Sequence, residues 1–206
     1  TRSGLGGTFI NAQRRLVGAL PNTARYDYDL STGEALGVLV ETGKTNLCLF
    51  SNSLNDASWT KTDYTPSKTF VGVRGLSNEA WRINNTLSTG EILRTITGLT
   101  ANTQYTFSFF ARNNGGVNAY IGIRDEGTLA FTARNFGSEI VNSEFRRISI
   151  SFTTGASTTS ARVYIARDQT NVDWIFQDAQ LEVGGLSSYV GETTNTTVTR
   201  NEDNLT

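Results

Sequence analysis

The sequence contains no histidine among its 206 residues. Histidine is the side chain used most often as a general acid or base and as a ligand for transition metals. Its absence excludes Ser-His-Asp and Cys-His triads as well as histidine-ligated zinc. The sequence therefore predicts a protein that is not an enzyme, and a glycan hydrolase or lyase that works with two carboxylates is the catalytic alternative.

Cysteine and methionine are also scarce, with a single cysteine, Cys48, and no methionine. One cysteine allows neither an intrachain disulfide nor a cysteine-based metal cluster. Cys48 lies in the apolar run Asn46–Ser51, which predicts a buried structural thiol. The lack of methionine indicates that the chain is a processed piece or an excerpt of a longer product.

The chain has no excess of charge of either sign, with 18 Lys and Arg against 19 Asp and Glu and a net charge of −1. Nucleic acids and anionic membranes select a basic excess, so neither is predicted as a partner. No apolar run approaches the roughly 20 residues that span a bilayer, and membrane insertion is not expected.

Short runs with an alternating apolar and polar pattern are what the sequence does contain. In Gln104–Ala111, Tyr105, Phe107 and Phe109 share one face, and Thr106 lies on the other, as in a half-buried strand. Similar runs recur between Gly- and Asn-rich turns, which predicts an all-β jelly-roll β-sandwich. The predicted strands are Leu47–Ser51, Ala80–Ile83, Glu91–Thr97, Gln104–Ala111, Ala119–Arg124, Thr128–Ala133, Phe145–Thr154, Ala161–Ala166 and Trp174–Val183.

The two ends of the chain have a different composition from this central part. Residues 1–45 combine Gly-rich loops with a predicted hairpin in Phe9–Leu20 and a short strand in Ala35–Val40. Residues 192–206 are rich in Thr and Asn. We therefore expect an N-terminal arm (1–45), a sandwich (46–191) and a C-terminal exit arm (192–206), with the arms packed on the sandwich or on neighbouring chains.

Three aromatic residues are candidates for glycan contact, namely Trp59, Tyr64 and Tyr120. Sugar rings present apolar C–H faces that stack on aromatic side chains, and polar neighbours bind the hydroxyls. The alternative is that such aromatic rings belong to the core. For the two other tryptophans, Trp81 and Trp174, we prefer this core interpretation because they flank apolar strand positions.

A structural calcium ion is the candidate cofactor, although none is certain from the residues alone. Calcium takes several oxygen ligands, which Asp173, Asp178, Glu182 and the Asn-rich loops could supply. The dense acidic loop of high-affinity calcium sites is absent. Solvated turns and salt bridges are the alternative roles of these carboxylates.

Several segments, in order along the chain, resemble a pattern found in tailed-bacteriophage virion proteins. They are Arg25–Asp29, Gly37–Glu41, Lys44–Leu47, Ser51–Lys61, Asp178–Gly184, Ser187–Tyr189 and Thr197–Arg200. Departures are mild: Leu30 stands where the family often has proline, Lys44 replaces arginine, and Ser187 replaces proline.

This resemblance implies a structural component of a phage particle, such as a tail fibre, tailspike, baseplate or capsid decoration protein. The implied partners are other virion proteins and copies of the chain itself, as a trimer, with a host glycan as a further ligand and the virion surface as the location. It also implies a carbohydrate-binding-module-like jelly-roll, with Asp178 at a calcium-ligand position. The alternative function is a carbohydrate-binding module of a secreted glycan-degrading enzyme.

Overall fold

The computed structural model describes residues 7–20, 23–87, 89–140 and 143–203, and strands dominate this part of the chain. A short 3₁₀ helix at Gly137–Glu139 is the helical element among the described residues. The strands are β1 (Thr8–Ile10), β2 (Leu16–Gly18), β3 (Tyr26–Tyr28), β4 (Ala35–Val38), β5 (Lys44–Asn46), β6 (Thr60–Thr62), β7 (Ser67–Phe70), β8 (Ala80–Asn85), β9 (Glu91–Thr97), β10 (Gln104–Asn113), β11 (Tyr120–Asp125), β12 (Phe131–Asn135), β13 (Arg146–Thr153), β14 (Ser160–Arg167), β15 (Val172–Val183) and β16 (Val198–Arg200).

Two five-stranded antiparallel sheets form the body of the molecule. Sheet I has the strand order β13-β10-β15-β8-β7, and sheet II has the order β12-β11-β14-β9-β6. Strands that are neighbours in each sheet are mostly distant in sequence, so the chain crosses between the sheets repeatedly. The predicted all-β sandwich is confirmed.

The main core lies between the two sheets and is rich in aromatic side chains. Phe107 and Phe109 of β10 are fully buried in it, as the alternating pattern predicts. The Phe109 ring stacks on Trp174 with centroids 5.5 Å apart, and Phe136 meets the same indole edge-on at 5.1 Å. Such aromatic pairs add about 0.5–1.5 kcal/mol each beyond the burial of their area.

The predicted core positions of Cys48, Trp81 and Trp174 are confirmed. Cys48 is completely buried, and burial raises the pKa of its thiol to about 12. A thiol with such a pKa stays protonated at neutral pH, so it packs as a small apolar side chain.

One predicted strand, Leu47–Ser51, is not a strand in the structure. The side-chain oxygen of Asn46 accepts a hydrogen bond from the Cys48 backbone N–H at 3.0 Å, and Phe50 has a φ of 51°. This local bond and the left-handed backbone of Phe50 turn the chain away from an extended course.

Both arms fold back onto the outer face of sheet I. The hairpins β1–β2 and β3–β4 lie on that face, and β5 pairs with β16, which joins the two ends of the chain. A second apolar cluster fills the space beneath them, in which Leu16 of the arm meets Phe110, Ile175 and Tyr189 of the body. The described parts of the arms are therefore bound within the chain.

A buried network of charges ties the arms together. Arg25 and Arg200 are at most 1% exposed, and each donates to Glu41, at 2.8 and 2.9 Å. Arg25 also pairs with Asp203 of the C-terminal arm. The described parts of the arms therefore have partners within their own chain, whereas contacts with neighbouring chains and the oligomeric state stay predictions.

Within the described residues, no helix is long and apolar enough to span a bilayer.

Candidate functional site

The most exposed aromatic side chain among the described residues of the sandwich body, Phe131, lies on the outer face of sheet II. Ile121 and Ile123 of β11 point into the core, so Tyr120, Gly122 and Arg124 point outward because side chains alternate along a strand. The register of the next strand places Phe131 opposite Arg124 on the same face.

Three rings form what we call the aromatic surface: Tyr120, Phe131 and Tyr164. The ring of Phe131 is stacked on Tyr120 with centroids 6.3 Å apart, and it meets the edge of Tyr164 at 5.4 Å. Phe131 is 40% exposed, whereas Tyr164 is buried and supports it from below. The exposed ring is thus held in place by its neighbours and needs little ordering before a ligand binds.

Gly122 leaves the space that these rings occupy. A Cβ atom at Gly122 would lie 3.0 Å from the Tyr120 ring and 3.2 Å from the Phe131 ring. A Cβ atom at this position would therefore require the two rings to shift by a few tenths of an ångström. The glycine thus influences where the two rings lie.

One cationic side chain lies over the aromatic surface, and a second borders it. The guanidinium of Arg167 lies 4.6 Å from the Phe131 ring centroid and 5.3 Å from that of Tyr164. On the other side, Arg124 holds Glu126 through two hydrogen bonds of 2.6 and 2.9 Å. The surface therefore combines apolar ring faces with hydrogen-bond donors and acceptors at its rim, as sugar recognition requires.

The Tyr120 hydroxyl is neutral at neutral pH, and burial extends this to higher pH. Desolvation raises its pKa to about 12, despite the opposing effect of the nearby Arg167. Like any neutral phenol, this hydroxyl can donate or accept a hydrogen bond.

The other two predicted glycan contacts are not on this surface. Trp59 is 1% exposed, and its indole N–H donates to the carbonyl of Phe50 at 3.0 Å. Tyr64 is also buried in the main core. Neither ring therefore lies beside Tyr120. Both belong to the core, which is the alternative that the sequence left open.

Asp178 is buried completely and sits at a bulge in β15. The pairing of β10 with β15 shifts between Ser108 and Phe110, and Asp178 adopts a φ of 59° there. The bulge turns the carboxylate toward the outer side of sheet I, where Arg74 contacts it at 2.7 Å. Desolvation raises the pKa of Asp178 to about 6, although the Arg74 charge opposes this.

The surroundings of Asp178 do not fit the expected calcium ion. Arg74 also binds Glu79 at 2.9 Å, so a cation of the protein itself already bridges the two carboxylates. In the part of the chain that the structure describes, no three acidic, histidine or cysteine side chains are grouped to hold a metal. A divalent ion beside the guanidinium would also be repelled by its charge.

Sequence reasoning missed Phe131 as a site residue. The signal was present, because the turn around Gly127 makes Thr128–Ala133 the hairpin partner of the strand with Tyr120. The stacking of Phe131 on Tyr120 depends on the exact register of these two strands. The sequence alone does not determine this register to within one or two residues.

Comparison with known proteins gives matches in structure alone: no family model matches the chain, and no curated protein matches it in sequence. The enzymatically active domain of tailspike protein 4 from bacteriophage CBA120 superposes with a TM-score of 0.53 and 11% identity, over 68% of this chain and 21% of that one.

Two carbohydrate-binding modules superpose with lower scores. The CBM22-1–GH10 modules of Clostridium thermocellum xylanase 10B, solved with xylohexaose, give a TM-score of 0.47 and 17% identity over 73% of this chain and 30% of theirs. The CBM22-1 xylan-binding domain of Paenibacillus barcinonensis Xyn10C superposes with a TM-score of 0.45 and 8% identity, over 72% of this chain and 100% of that domain.

The chain therefore spans about a fifth of the tailspike chain and less than a third of the xylanase chain. At these identities the likeness concerns the fold. The chain is a jelly-roll β-sandwich whose fold is similar to part of a phage tailspike domain.

Proposed function

We propose that this chain is a non-catalytic carbohydrate-binding module that holds glycan on the aromatic surface of sheet II. The observation that carries the proposal is the exposed ring of Phe131, stacked on Tyr120 and supported by Tyr164. The exposed part of the Phe131 ring offers apolar surface for a pyranose, and Arg167, whose guanidinium lies over this ring, and the Tyr120 hydroxyl offer polar contacts.

The carboxylates around this surface support a binding role over catalysis. Glu126 is held by Arg124 and lies 3.4 Å from Arg162, and Asp168 pairs with Arg167. A general acid needs a raised pKa, whereas the hydrogen bond from Arg124 favours the charged form of Glu126 and lowers its pKa.

A screen against a panel of neutral and acidic polysaccharides, followed by calorimetry with the best ligand, tests this proposal. We expect Phe131→Ala to weaken binding about tenfold or more, the effect of about 1.4 kcal/mol of lost contact. Tyr26→Ala is the matched control, because Tyr26 is a 59% exposed aromatic on the N-terminal arm. Equal losses in both variants, or no binding by the wild type, would contradict the proposal.

A second candidate function is a structural role in a phage particle that presents this module at the virion surface. The ordered segments from Arg25 to Arg200 that resemble virion proteins favour it, and the fold likeness to a tailspike domain is consistent with it. Light scattering of the isolated chain tests the trimer that this role implies. A chain that stays monomeric at all concentrations would count against it.

A further inference from the structure

A basic pocket opens where the turn of the β1–β2 hairpin meets the outer face of sheet I. Arg14 and Arg15 line it from the hairpin, and Arg112 at the end of β10 and Phe145 line it from the sandwich body. Its volume is about 310 Å³. Small-ligand sites occupy about 300–1,000 Å³, so this pocket, which we call the hairpin pocket, has room for one small ligand.

The hairpin pocket carries an excess of positive charge. Its lining holds three arginines and one carboxylate, Glu144. This carboxylate is already engaged, because the Nη2 atom of Arg14 lies 3.2 Å from it. Arg15 and Arg112 form no ion pair with any residue in the described part of the chain. Two positive charges of the pocket therefore lack a counter-ion of their own.

Aromatic rings, and not hydrogen bonds, hold Arg112 in place. Its guanidinium carbon lies 5.9 Å from the ring centroid of Phe70 and 5.3 Å from that of Phe145. Its Nε atom is buried without an acceptor, and burial lowers the pKa of Arg112 although the charge of Glu144 opposes this. Since the side chain as a whole is only partly buried, its two terminal nitrogens are left to contact solvent or a ligand. The guanidinium is thus oriented before any ligand arrives.

The position of Arg15 depends on a glycine on the opposite loop. Gly75 has a φ of 80°, a backbone conformation that favours glycine, and a Cβ atom there would overlap the Nη1 atom of Arg15. The same nitrogen donates to the carbonyl of Arg74 at 3.4 Å. The loop therefore leaves the space in which the second uncompensated guanidinium lies.

We infer that the hairpin pocket binds the phosphate group of a phosphorylated sugar, with Arg112 and Arg15 as its ligands. A phosphomonoester carries about −1.5 to −2 charges at neutral pH and three acceptor oxygens, which matches two guanidinium groups without counter-ions. A carboxylate would compensate only one of them. The apolar side chains of Phe145, Val71 and Leu30 in the same lining suit the C–H face of the sugar. This site is separate from the aromatic surface and does not rest on the proposed function.

Calorimetric titration of the full chain with glucose 6-phosphate and glucose 1-phosphate tests the inference. Glucose, glucuronate and inorganic phosphate are the references, because they lack the charge, the double charge and the sugar ring, respectively. We expect at least one sugar phosphate to bind the wild type about tenfold or more tightly than any reference. Absence of binding by both sugar phosphates, or equal affinity for glucuronate or inorganic phosphate, would overturn the inference.

Variants of the two arginines locate the site. We expect Arg112→Met and Arg15→Met each to lose about tenfold or more of the affinity for the sugar phosphate. Arg82→Met is the matched control, because Arg82 is 38% exposed and already paired with Asp173. Phe131→Ala should bind the sugar phosphate like the wild type, which separates this site from the aromatic surface. Arg15 is exposed, so Arg15→Met decides the test if Arg112→Met does not fold. Wild-type affinity in the folded arginine variants would contradict the inference.

Discussion

Gly122 is the residue on which the shape of the aromatic surface depends most directly. Its missing side chain makes room for Tyr120 and Phe131, which would lie 3.0 and 3.2 Å from a Cβ atom. We expect Gly122→Ala to displace these rings and to weaken glycan binding several-fold with little change in the melting temperature. Calorimetry and thermal unfolding of the same sample measure both quantities. Unchanged affinity would mean that the rings do not contact the ligand.

Arg74 is the residue that compensates the buried charge of Asp178. Removal of one partner of a buried ion pair costs about 3–5 kcal/mol, because the other charge stays buried and unpaired. We expect Arg74→Met to lower the free energy of unfolding in urea by about this amount. The double variant Arg74→Met/Asp178→Asn should recover part of the loss. Equal stability of the single and double variants would contradict a direct pairing.

The Asp178–Arg74 pair and the placement of Trp59 could not be predicted from the sequence. Asp178 is easy to single out in a closing strand, but its partner Arg74 lies more than a hundred residues earlier and is brought there by the β15 bulge. Trp59 was ambiguous because its flanking residues are polar, and only the packing of the core decides that it is buried. Pairings between distant residues depend on the whole fold.

At the scale of elements, the strong strands were predictable and the weak ones were not. Glu91–Thr97 matches β9, and the runs for β10 and β15 differ by a few residues at their ends. Long runs rich in apolar and aromatic residues indicate these strands. The sequence does not show that β10 and β15 are buried on both faces, because the arms that cover the outer face of sheet I come from distant parts of the chain. The short strands β6 and β7 lack a recognisable strand pattern in the sequence. They are strands because they pair with β9 and β8.

The turn that ends β11 is held by one carboxylate. Burial raises the pKa of Asp125, but hydrogen bonds from the Thr158 hydroxyl and three backbone N–H groups outweigh it and lower the pKa to about 2. Because the pKa of Asp125 is lower in the folded than in the unfolded chain, this carboxylate stabilises the fold at pH values above its unfolded-state pKa of about 4. This stabilisation is lost as the pH falls toward 2.

Asp125 should therefore contribute about 2–3 kcal/mol at neutral pH, from a shift of about two pKa units. We expect Asp125→Asn to be less stable at neutral pH and to lose less stability than the wild type between about pH 4 and pH 2. Urea unfolding at a series of pH values measures this slope. Glu34→Gln, at an exposed carboxylate, is the control. A slope equal to that of the wild type would contradict the role of Asp125.

At the scale of the whole molecule, the arms are part of the folded unit. Arg200 donates to Glu41 at 2.9 Å and to the carbonyl of Thr42 at 2.9 Å, which closes the C-terminal arm on the N-terminal one. We expect Arg200→Met to lose about 3 kcal/mol or more of stability. Arg134→Met, at an exposed pair, should lose at most about 1 kcal/mol.

Thermal unfolding at low and high protein concentration completes this test. Contacts within one chain do not depend on concentration, so the loss in Arg200→Met should be the same at both. A loss that vanishes at high concentration would show that the arms are instead held by neighbouring chains.

The central claim is that the outer face of sheet II binds glycan. NMR titration of the labelled chain with the best polysaccharide fragment tests it most directly, because each backbone amide reports on its own surroundings. The account predicts shift changes that cluster on β11, β12 and β14 around Tyr120, Gly122 and Phe131. Changes confined to other surfaces, with these amides unaffected at saturation, would contradict it.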